Sequence, residues 1–256
     1  MKVFILNVGV NASHGSLRSP IFDDNTFEFI PIPERSILSH SAPDCPALPR
    51  YCDITSHSGR DILNLIPEKY HNWRAHNDPE FDRFTYGDYP TVSPRVANLK
   101  KIEIGDYLFF LARLVKWENG KFTSKAGFYL IGFFEIEDIL KEVVTNPTNS
   151  ELVNFSSNVH IKRGLWNPAF WNGFWVFKGS KKSMRFKQAI PFSKEFVEAV
   201  LTDSRRGKLL WSPGRTELQI IGSYTRACRI IDGEKIGIFW KLIKKNWARR
   251  PKWKID

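Results

Sequence analysis

The chain has 256 residues, 42% of them hydrophobic and 25% charged, which is the composition of a globular protein with a sizeable core. No apolar run approaches the roughly 18 residues of a membrane span. The N-terminal "MKVFILNVGV" lacks the apolar core and cleavage site of a signal peptide. Three cysteines are too few for a disulfide framework. We therefore predict a cytoplasmic protein with no membrane partner and no disulfide-linked partner.

The net charge of +11 is distributed unevenly along the chain. Residues 1–150 hold 16 Lys and Arg against 19 Asp and Glu, a net charge of −3. Residues 151–256 hold 22 against 8, a net charge of +14. Such an asymmetry predicts that the second half faces a polyanion such as nucleic acid. The simpler alternative is a basic, solvated surface with no such partner.

The first third of the chain combines two predicted strands with long polar segments. A strand at Lys2–Val8 leads into a loop of small and polar residues, and a second strand follows at Phe27–Ile32. Residues 33–60 are rich in Pro, Ser and His and predict a long irregular excursion. "SGRDILNLIPEKY" predicts a short helix capped by Ser58, whereas residues 76–90 hold too many turn formers for one regular element.

The middle and the end of the chain have the strongest strand and helix patterns. "LKKIEIGDYLFFLARLVKW" predicts a turn and a buried strand, and "GFYLIGFFEIEDILKEVV" predicts a strand that continues into a helix ending near Val144. After a polar connector at 145–158, "FWVFKGS" and "QAIPF" predict strands, and "SKEFVEAVL" predicts a helix capped by Ser193. This order predicts an α+β fold with a mixed, β-rich core, either a barrel or a strongly curved sheet, with flanking helices.

The loop after the first strand and the start of the second form the first candidate site. Its polar residues are Asn11, Ser13, His14, Asp23, Asp24 and Glu28. Asp23 and Asp24 could accept hydrogen bonds from a base edge, orient a histidine or hold a metal. The alternative, which the spacing alone favours, is a polar hairpin loop in which Asp23, Asp24 and Asn25 make the turn.

A second candidate site lies in the polar stretch at 76–90. His76 is two residues from Asp78, so the pair could be a base with its orienting carboxylate or two metal ligands. Thr85 and Tyr86 follow and could contact a nucleotide. The alternative is that Asp78 and Pro79 simply start a turn.

Residues 158–163 form a third candidate site. If this segment is a strand, alternation aims Asn158, His160 and Lys162 at one face. The amide and the imidazole could then read a base or a ribose while Lys162 and Arg163 meet phosphate. A surface strand whose histidine only hydrogen-bonds a neighbour is the alternative.

Two basic segments are candidates for phosphate contact. "KGSKKSMRFK" at 178–187 offers Lys178, Lys181, Lys182 and Arg185 beside a glycine, although it lacks the spacing of a P-loop. The C-terminal "KLIKKNWARRPKWK" interleaves basic and aromatic residues, which suits stacking on bases while cations follow the backbone. Its candidate residues are Trp247, Arg249, Arg250 and Trp253. For both segments the alternative is a solvated charged surface.

The familiar catalytic motifs are absent from the sequence. It contains no GxSxG, HExxH, GxGxxG or CxxC, so neither a nucleophile elbow, nor a zincin motif, nor a dinucleotide fingerprint identifies a reaction. The sequence therefore identifies no cofactor and leaves a metal ion open.

Several stretches, taken in order, resemble one known family. They are "NVGVNASHGS", "TFEFIPIPE", "HNDPEFDRFTYGD", "IEIGDYLFFLARL", "FYLIGFF", "NVHIKR" and "KSMRFKQAIPFS". Together they resemble the nucleotide modification associated domain family of the third type, over residues 1–245. The first loop departs from the expected pattern, because Asn11 stands where we expect an aspartate in relatives.

The resemblance implies a prokaryotic or viral protein linked to DNA base modification or its recognition. It also implies a set of pocket residues: Asp23, Asp24, Glu28, Glu34, His76, Asp78, Thr85, Tyr86, Asn158 and His160. The strands after the Gly105–Asp106 turn are in addition similar to the barrel of PUA-like domains. Some of those domains flip a modified base into an aromatic pocket. The likeness concerns the fold only, and a shared fold does not establish a shared function.

We thus predict a single nucleotide-modification-associated domain over residues 1–256, with a pocket-forming half (1–150) and a basic half (151–256). It would bind a nucleotide or a modified base, with nucleic acid, most naturally DNA, as partner. The alternative is an enzyme acting on a nucleotide or nucleobase, in which His76 or His160 is the base and Asp23 or Asp78 orients it or shares a metal. A module that only binds a partner protein is a third possibility.

Overall fold

The computed structural model of the chain describes residues 1–34, 45–202, 207 and 209–248. The strands in this part are β1 Val3–Val8, β2 Ser19–Ile21, β3 Ile32–Pro33, β4 Ala75–His76, β5 Thr85–Asp88, β6 Tyr107–Glu118, β7 Lys121–Val143, β8 Phe174–Gly179, β9 Met184–Pro191 and β10 Arg229–Ile231. The α-helices are α1 Asn149–Phe155, α2 Val159–Trp166, α3 Lys194–Val200, α4 Glu217–Tyr224 and α5 Lys235–Ala248.

The predicted α+β class is confirmed by one large mixed sheet with flanking helices. Eight strands form it, in the order β10-β1-β6-β7-β8-β5, with β2 paired to β6 and β9 paired to β7. The pairs of β1 and β2 with β6 are parallel, and the other pairs are antiparallel. Among the described strands β10 and β5, at the two ends of this order, do not pair, whereas isolated bridges from Phe27 to Ile21 of β2 and from Thr26 to Gln188 of β9 link the two strands that branch off it. The likeness to PUA-like barrels stays a prediction.

A long hairpin of β6 and β7 carries most of the sheet. Asn119 and Gly120 both have positive φ, 50° and 78°, which is the geometry of the two-residue turns that match strand twist. The helix predicted at the end of β7 is wrong, because β7 continues as a strand to Val143. Bulges after Ile136 and Leu140 shift its register against β8. Ile136 and Ile139 pack against the main core, whereas Leu140 and Val143 pack in a separate cluster with Phe174 and Val176.

The strand predicted at residues 158–163 is also wrong, because this segment is the start of α2. Asn158 is the N-cap, and its side-chain Oδ1 accepts a hydrogen bond from the backbone N–H of His160 at 2.9 Å. Asparagine is among the favoured N-cap residues because its oxygen satisfies a free N–H of the first turn. The alternation of Val159 and Ile161 misleads, since both are buried on different sides of the helix, Val159 with Cys45 and Leu48 and Ile161 with Phe155 and Phe174.

Two further differences concern the first third of the chain. Residues 27–30 make only an isolated bridge from Phe27 to Ile21, and regular pairing resumes in β3. The segment after Ser58 forms two 3₁₀ turns, Ile62–Leu65 and Glu68–Tyr70, instead of one α-helix. The first turn is capped by Asp61, whose side chain accepts from the backbone N–H of Leu63.

The main core lies between the sheet and the helices α3 and α5. The ring of Phe239 in α5 meets Phe109 of β6 edge-on at a centroid distance of 4.7 Å, and it also contacts Phe196 of α3 at 5.6 Å. In the described part of the chain no helix is long and apolar enough to cross a membrane. The thiols of Cys45, Cys52 and Cys228 are all free.

Candidate functional site

Three metal-ligating side chains from separate segments meet in one open pocket. They are His76 of β4, Asp78 two residues later, and His160 in the first turn of α2, and one ligand atom of each lies within 4.8 Å of the others. The pocket, which we call the central pocket, has a volume of about 320 Å³. Its lining residues are Asn7, Val8, Gly9, Asn11, His14, Ile32, His76, Asp78, Tyr86, Gly87, Asp88, Tyr89, Arg95, His160 and Arg163.

Two glycines allow these segments to approach one another. Gly9 begins the loop after β1 with φ of 74°, and a Cβ there would lie 2.5 Å from the ring of Phe29. Gly87 in β5 lies against the start of α2, where a Cβ would be 2.4 Å from the His160 ring and 2.9 Å from Asn158 Oδ1. A side chain at either position would push the pocket walls apart.

His76 is oriented by a buried carboxylate. The pairing of β3 with β4 places Ile32 opposite His76, and Glu34 follows Pro33 so that its Oε2 lies 2.8 Å from His76 Nδ1. An ionised carboxylate only accepts hydrogen bonds, so Nδ1 carries a proton, and in the neutral imidazole Nε2 is the nitrogen with the free lone pair. Arg163 Nε lies 2.9 Å from the other oxygen of Glu34, so this carboxylate contacts both His76 and Arg163.

Asp78 is 8% exposed and incompletely bonded. Its Oδ2 accepts from the backbone N–H of Gly87 at 2.8 Å and lies 3.5 Å from His160 Nε2. Its Oδ1 has no hydrogen-bond partner among the described residues, and neither has the amide nitrogen of Asn158. The Asn158 amide is nonetheless close enough to lower the pKa of Asp78 as a side-chain hydrogen bond does, in a geometry that falls short of a full bond.

Burial dominates the electrostatics of this cluster. It raises the pKa of Asp78 well above its usual range and lowers the pKa of His160 to about 3. Burial would also raise the pKa of Glu34, but the hydrogen bond from His76 and the charges of His76 and Arg163 outweigh it, so that pKa is lowered. His160 is therefore neutral and Glu34 ionised near neutral pH, while burial favours the protonated form of Asp78.

A phenol pair and a carboxylate form the wall opposite the cluster. Tyr86 donates its hydroxyl to Asp88 Oδ2 at 2.5 Å, and the backbone N–H of Tyr89 donates to Oδ1 of the same carboxylate at 2.8 Å. The hydroxyl of Tyr89 lies 3.3 Å from His160 Nδ1. Arg95 and Arg163 add positive charge to the rim. The pocket thus surrounds His76, Asp78 and His160 with aromatic rings, hydrogen-bond donors and acceptors, and cationic side chains.

Several of the residues predicted for the site do meet in this pocket: Asn11, His14, His76, Asp78, Tyr86, His160 and Arg163 line it. The backbone N–H of Asn11 donates to His14 Nδ1 at 3.0 Å, and Asn11 Oδ1 accepts from the backbone and hydroxyl of Ser13, which is exposed. Asn158 lies behind the pocket as the cap of α2.

Asp23 and Asp24 lie in an exposed turn instead of lining the central pocket. Asp23 pairs with Lys116 at 3.1 Å with 80% of its side chain exposed. Asp24 Oδ1 accepts from the backbone and the hydroxyl of Thr26, which is the hydrogen bonding of an ordinary turn. Thr85 is buried, and its hydroxyl meets that of Ser157 at 3.3 Å.

Glu28 and Arg185 belong to a second, smaller pocket of about 200 Å³. Glu28 accepts from the Ser56 hydroxyl at 2.6 Å and from the backbone N–H groups of His57 and Ser58, and its Oε2 lies 3.7 Å from Arg185 Nη2. The Arg185 guanidinium stacks 4.2 Å from the centre of the Phe27 ring. We call this the Glu28 pocket.

The remaining basic candidates lie at the surface or outside the described residues. Lys181 is exposed in the turn between β8 and β9, Lys182 pairs with Glu135 at 3.0 Å, and Lys178 donates to the carbonyl of Arg83. Lys162 is half-buried on α2, and Trp247 of α5 is 47% exposed against Phe186. Outside the described residues lie Arg249, Arg250 and Trp253.

Sequence reasoning missed Asn7, Tyr89 and Arg95 as pocket residues, whereas Asp88 lies in the polar stretch predicted as the second candidate site. Tyr89 directly follows that residue, so the continuation of a polar strand into an aromatic residue was the available signal. Arg95 carried no such signal, because it follows a proline-rich turn and reaches the pocket only through folding.

Comparison with known proteins gives a family but no characterised relative. No curated protein and no solved structure matches the chain. The family model of nucleotide modification associated domain 3 matches residues 2–212, which include every described residue of the central pocket. The chain therefore belongs to the nucleotide modification associated domain 3 family.

Proposed function

We propose that this protein is an enzyme that binds a nucleotide or a nucleobase in the central pocket and modifies it beside His76, Asp78 and His160. The convergence of these three side chains within 4.8 Å, from segments about 80 residues apart in sequence, carries the proposal. Buried ionisable groups with shifted pKa values that meet in a cleft are characteristic of catalytic sites. Membership of a family associated with nucleotide modification supports the same class of substrate.

The size and chemistry of the central pocket support a nucleoside-sized ligand. A volume of about 320 Å³ lies within the usual range for small-molecule sites. Tyr86 and Tyr89 provide aromatic surface, Asp88 and Asn7 can pair with the edge of a base, and Arg163 can meet a phosphate. We propose nucleic acid, and DNA in particular, as the source of this base.

The hydrogen bonds assign roles to the residues of the cluster. Glu34 holds the proton of His76 on Nδ1, so His76 Nε2 can accept a proton from the substrate or from water. His160 stays neutral because burial lowers its pKa to about 3, and it can therefore donate or accept a hydrogen bond without carrying charge. Asp78 orients His160 and can hold a proton itself.

The test is a turnover assay with digestion to nucleosides. Plain and modified oligonucleotides and free nucleotides are incubated with the protein, with and without added divalent ions, and the nucleosides are analysed by mass spectrometry. We expect a change of mass with the wild type and a rate lower by roughly 10²–10⁴-fold in His76→Gln. His57→Gln, in the Glu28 pocket, is the matched control. Equal rates for His76→Gln and the control would contradict the proposal.

A second candidate, recognition of a modified base without turnover, is favoured by the burial of Asp78 and His160, which disfavours the charged form of each side chain. Neutral hydrogen-bonding groups next to aromatic rings suit the reading of a flipped base. In that case modified oligonucleotides would bind more tightly than plain ones, Tyr89→Ala would weaken the difference, and no nucleoside would change mass in the assay above.

A further inference from the structure

We infer that His76, Asp78 and His160 bind one divalent first-row transition-metal ion, such as Fe²⁺, Mn²⁺ or Zn²⁺. This ion would lie in the central pocket, so its part in catalysis rests on the function proposed above, whereas its binding does not. Two imidazoles and one carboxylate with open positions are a common ligand set of catalytic non-haem iron and zinc sites.

The first argument is the spacing of the ligand atoms. Asp78 Oδ2 and His160 Nε2 are 3.5 Å apart, too far for a strong hydrogen bond between a carboxylate and an imidazole. Two ligands about 2.1 Å from one ion lie about 3.0 Å apart at a right angle and about 3.4 Å apart at a tetrahedral angle. The observed separation therefore fits shared coordination better than a direct pair.

The second argument is the unused acceptor on Asp78. Its Oδ1 is buried and has no hydrogen-bond partner among the described residues, although the side chain is only 3% exposed. Buried polar atoms are satisfied in native proteins with few exceptions, and a bound cation is a common reason for such an exception. A metal ion held by both oxygens of this carboxylate, Oδ2 beside His160 and Oδ1, would supply the missing partner.

The third argument is the outer shell of hydrogen bonds. His76 donates its Nδ1 proton to Glu34, and His160 Nδ1 lies 3.3 Å from the Tyr89 hydroxyl, so both rings can present Nε2 to one point. A histidine ligand almost always has such a partner on its second nitrogen, because that partner fixes the tautomer and the ring orientation. Both histidines of the cluster satisfy this condition.

The kind of ion follows from the ligands and from the open side of the site. Imidazole favours Fe²⁺, Mn²⁺, Zn²⁺ and their neighbours over Mg²⁺ and Ca²⁺, which prefer sites built from oxygen atoms. No fourth His, Cys, Asp or Glu joins the three ligands among the described residues. The remaining positions face the pocket, as in catalytic sites that keep room for water or substrate.

The experiment measures metal content and affinity without any nucleotide. The protein is freed of metal with a chelator, dialysed against Fe²⁺ (without oxygen), Mn²⁺, Zn²⁺ or Mg²⁺, and analysed by inductively coupled plasma mass spectrometry. Co²⁺ is titrated in parallel, because its visible absorption reports the ligand set. We expect one equivalent of a transition ion in the wild type, and none of Mg²⁺.

The variants separate this site from adventitious binding. We expect Asp78→Asn and His160→Gln to lose the ion, and Glu34→Gln, a positioning change, to lower the affinity roughly 10–100-fold. His57→Gln, a histidine of the Glu28 pocket, should bind as the wild type does. Circular dichroism confirms that each variant is folded. Less than one equivalent in the wild type, or equal binding by folded Asp78→Asn, would overturn the inference.

The result is independent of the function proposed above. If the ion binds but no nucleotide binds or changes mass, the metal site stands and the proposed substrate falls. If a nucleotide binds or reacts in metal-free protein as well as in loaded protein, the proposed function stands and the inferred role of the ion falls.

Discussion

Two buried carboxylates in neighbouring pockets differ in how many hydrogen-bond partners the protein gives them. Glu28 is 1% exposed and receives hydrogen bonds from Ser56, His57 and Ser58, with Arg185 beside it. Asp78 is 8% exposed, and one of its two oxygens has no partner among the described residues. The protein itself supplies the hydrogen-bond partners of Glu28, whereas Asp78 keeps one oxygen that can still bind a ligand.

The difference separates a structural charge from a functional one. A buried charge that only serves the fold is stable when all its hydrogen bonds are made within the protein. A buried group left short of partners costs free energy in the absence of a ligand, so its retention points to a ligand. The segment at 76–82 borders both pockets, since Asn77 lines one while His76 and Asp78 line the other.

The largest effect on stability is expected from Glu28→Gln. This change leaves the buried guanidinium of Arg185 without its ion-pair partner and sets an amide against two backbone N–H donors. We expect the free energy of unfolding to fall by about 3–5 kcal/mol, measured by urea denaturation. A loss below about 1 kcal/mol would mean that Glu28 is not the structural carboxylate of the two.

Asp78→Asn is the matched change in the other pocket. It keeps the shape of the side chain and the acceptor for the Gly87 N–H, and it removes a carboxyl group whose ionisation burial disfavours. We expect the free energy of unfolding to change by no more than about 1 kcal/mol. The same denaturation experiment tests this, and a loss as large as that of Glu28→Gln would break the comparison.

The pH dependence of stability should report His160. Its pKa is lowered from 6.5 to about 3 in the folded protein, so its contribution to stability is present above pH 6.5 and is lost as pH falls towards 3. Asp78, with a raised pKa, contributes in the opposite direction, since its stabilisation is present at low pH and is lost as pH rises through the folded value. The free energy of unfolding is therefore compared between Asp78→Asn and the double variant Asp78→Asn/His160→Gln. Between pH 6.5 and 3 the double variant should lose less of it than Asp78→Asn does. Equal slopes would contradict a buried neutral His160.

Gly87→Ala should disturb the central pocket without disturbing the Glu28 pocket. The new Cβ would lie 2.4 Å from His160, so α2 must move, at a cost of about 1–3 kcal/mol in unfolding free energy. Gly237→Ala in α5 is the control, because nothing lies within 4 Å of its Cβ position and alanine favours a helix. Thermal denaturation and metal affinity are both measured, and only Gly87→Ala should lower the affinity.

The smallest effect on stability is expected at the surface. Lys181→Ala with Lys182→Ala should change the free energy of unfolding by less than about 1 kcal/mol, since the Lys182 side chain is 76% exposed and its pair with Glu135 is screened by solvent. If the turn between β8 and β9 contacts DNA, the slope of log K against log salt should fall by up to about 0.9 for each lost phosphate contact. Lys121→Ala, at the hairpin end, is the control, and an unchanged slope in the double variant would remove this turn from the interface.

Local signals in the sequence were sufficient for much of the sheet and for the class of fold. The apolar run of β6 and the Ser193 cap of α3 were predicted because each depends on neighbouring residues only. Where tertiary contacts compete with local pattern, prediction was wrong. The helix-like spacing at the end of β7 was overridden by bulged pairing with β8, and the β-branched alternation after Asn158 was overridden by the Asn158 cap of α2.

The sequence by itself determined the family, the α+β class and the candidate residues His76, Asp78 and His160. Only the tertiary structure decided which candidates meet. In the folded protein the pairing of β3 with β4 brings Glu34 into contact with His76. Asp23 lies in an exposed turn, and Glu28 and Arg185 line a separate pocket. The reason is physical. Residue types show which chemistry is available, whereas distances between segments far apart in sequence arise only when strands pair and buried charges find their partners.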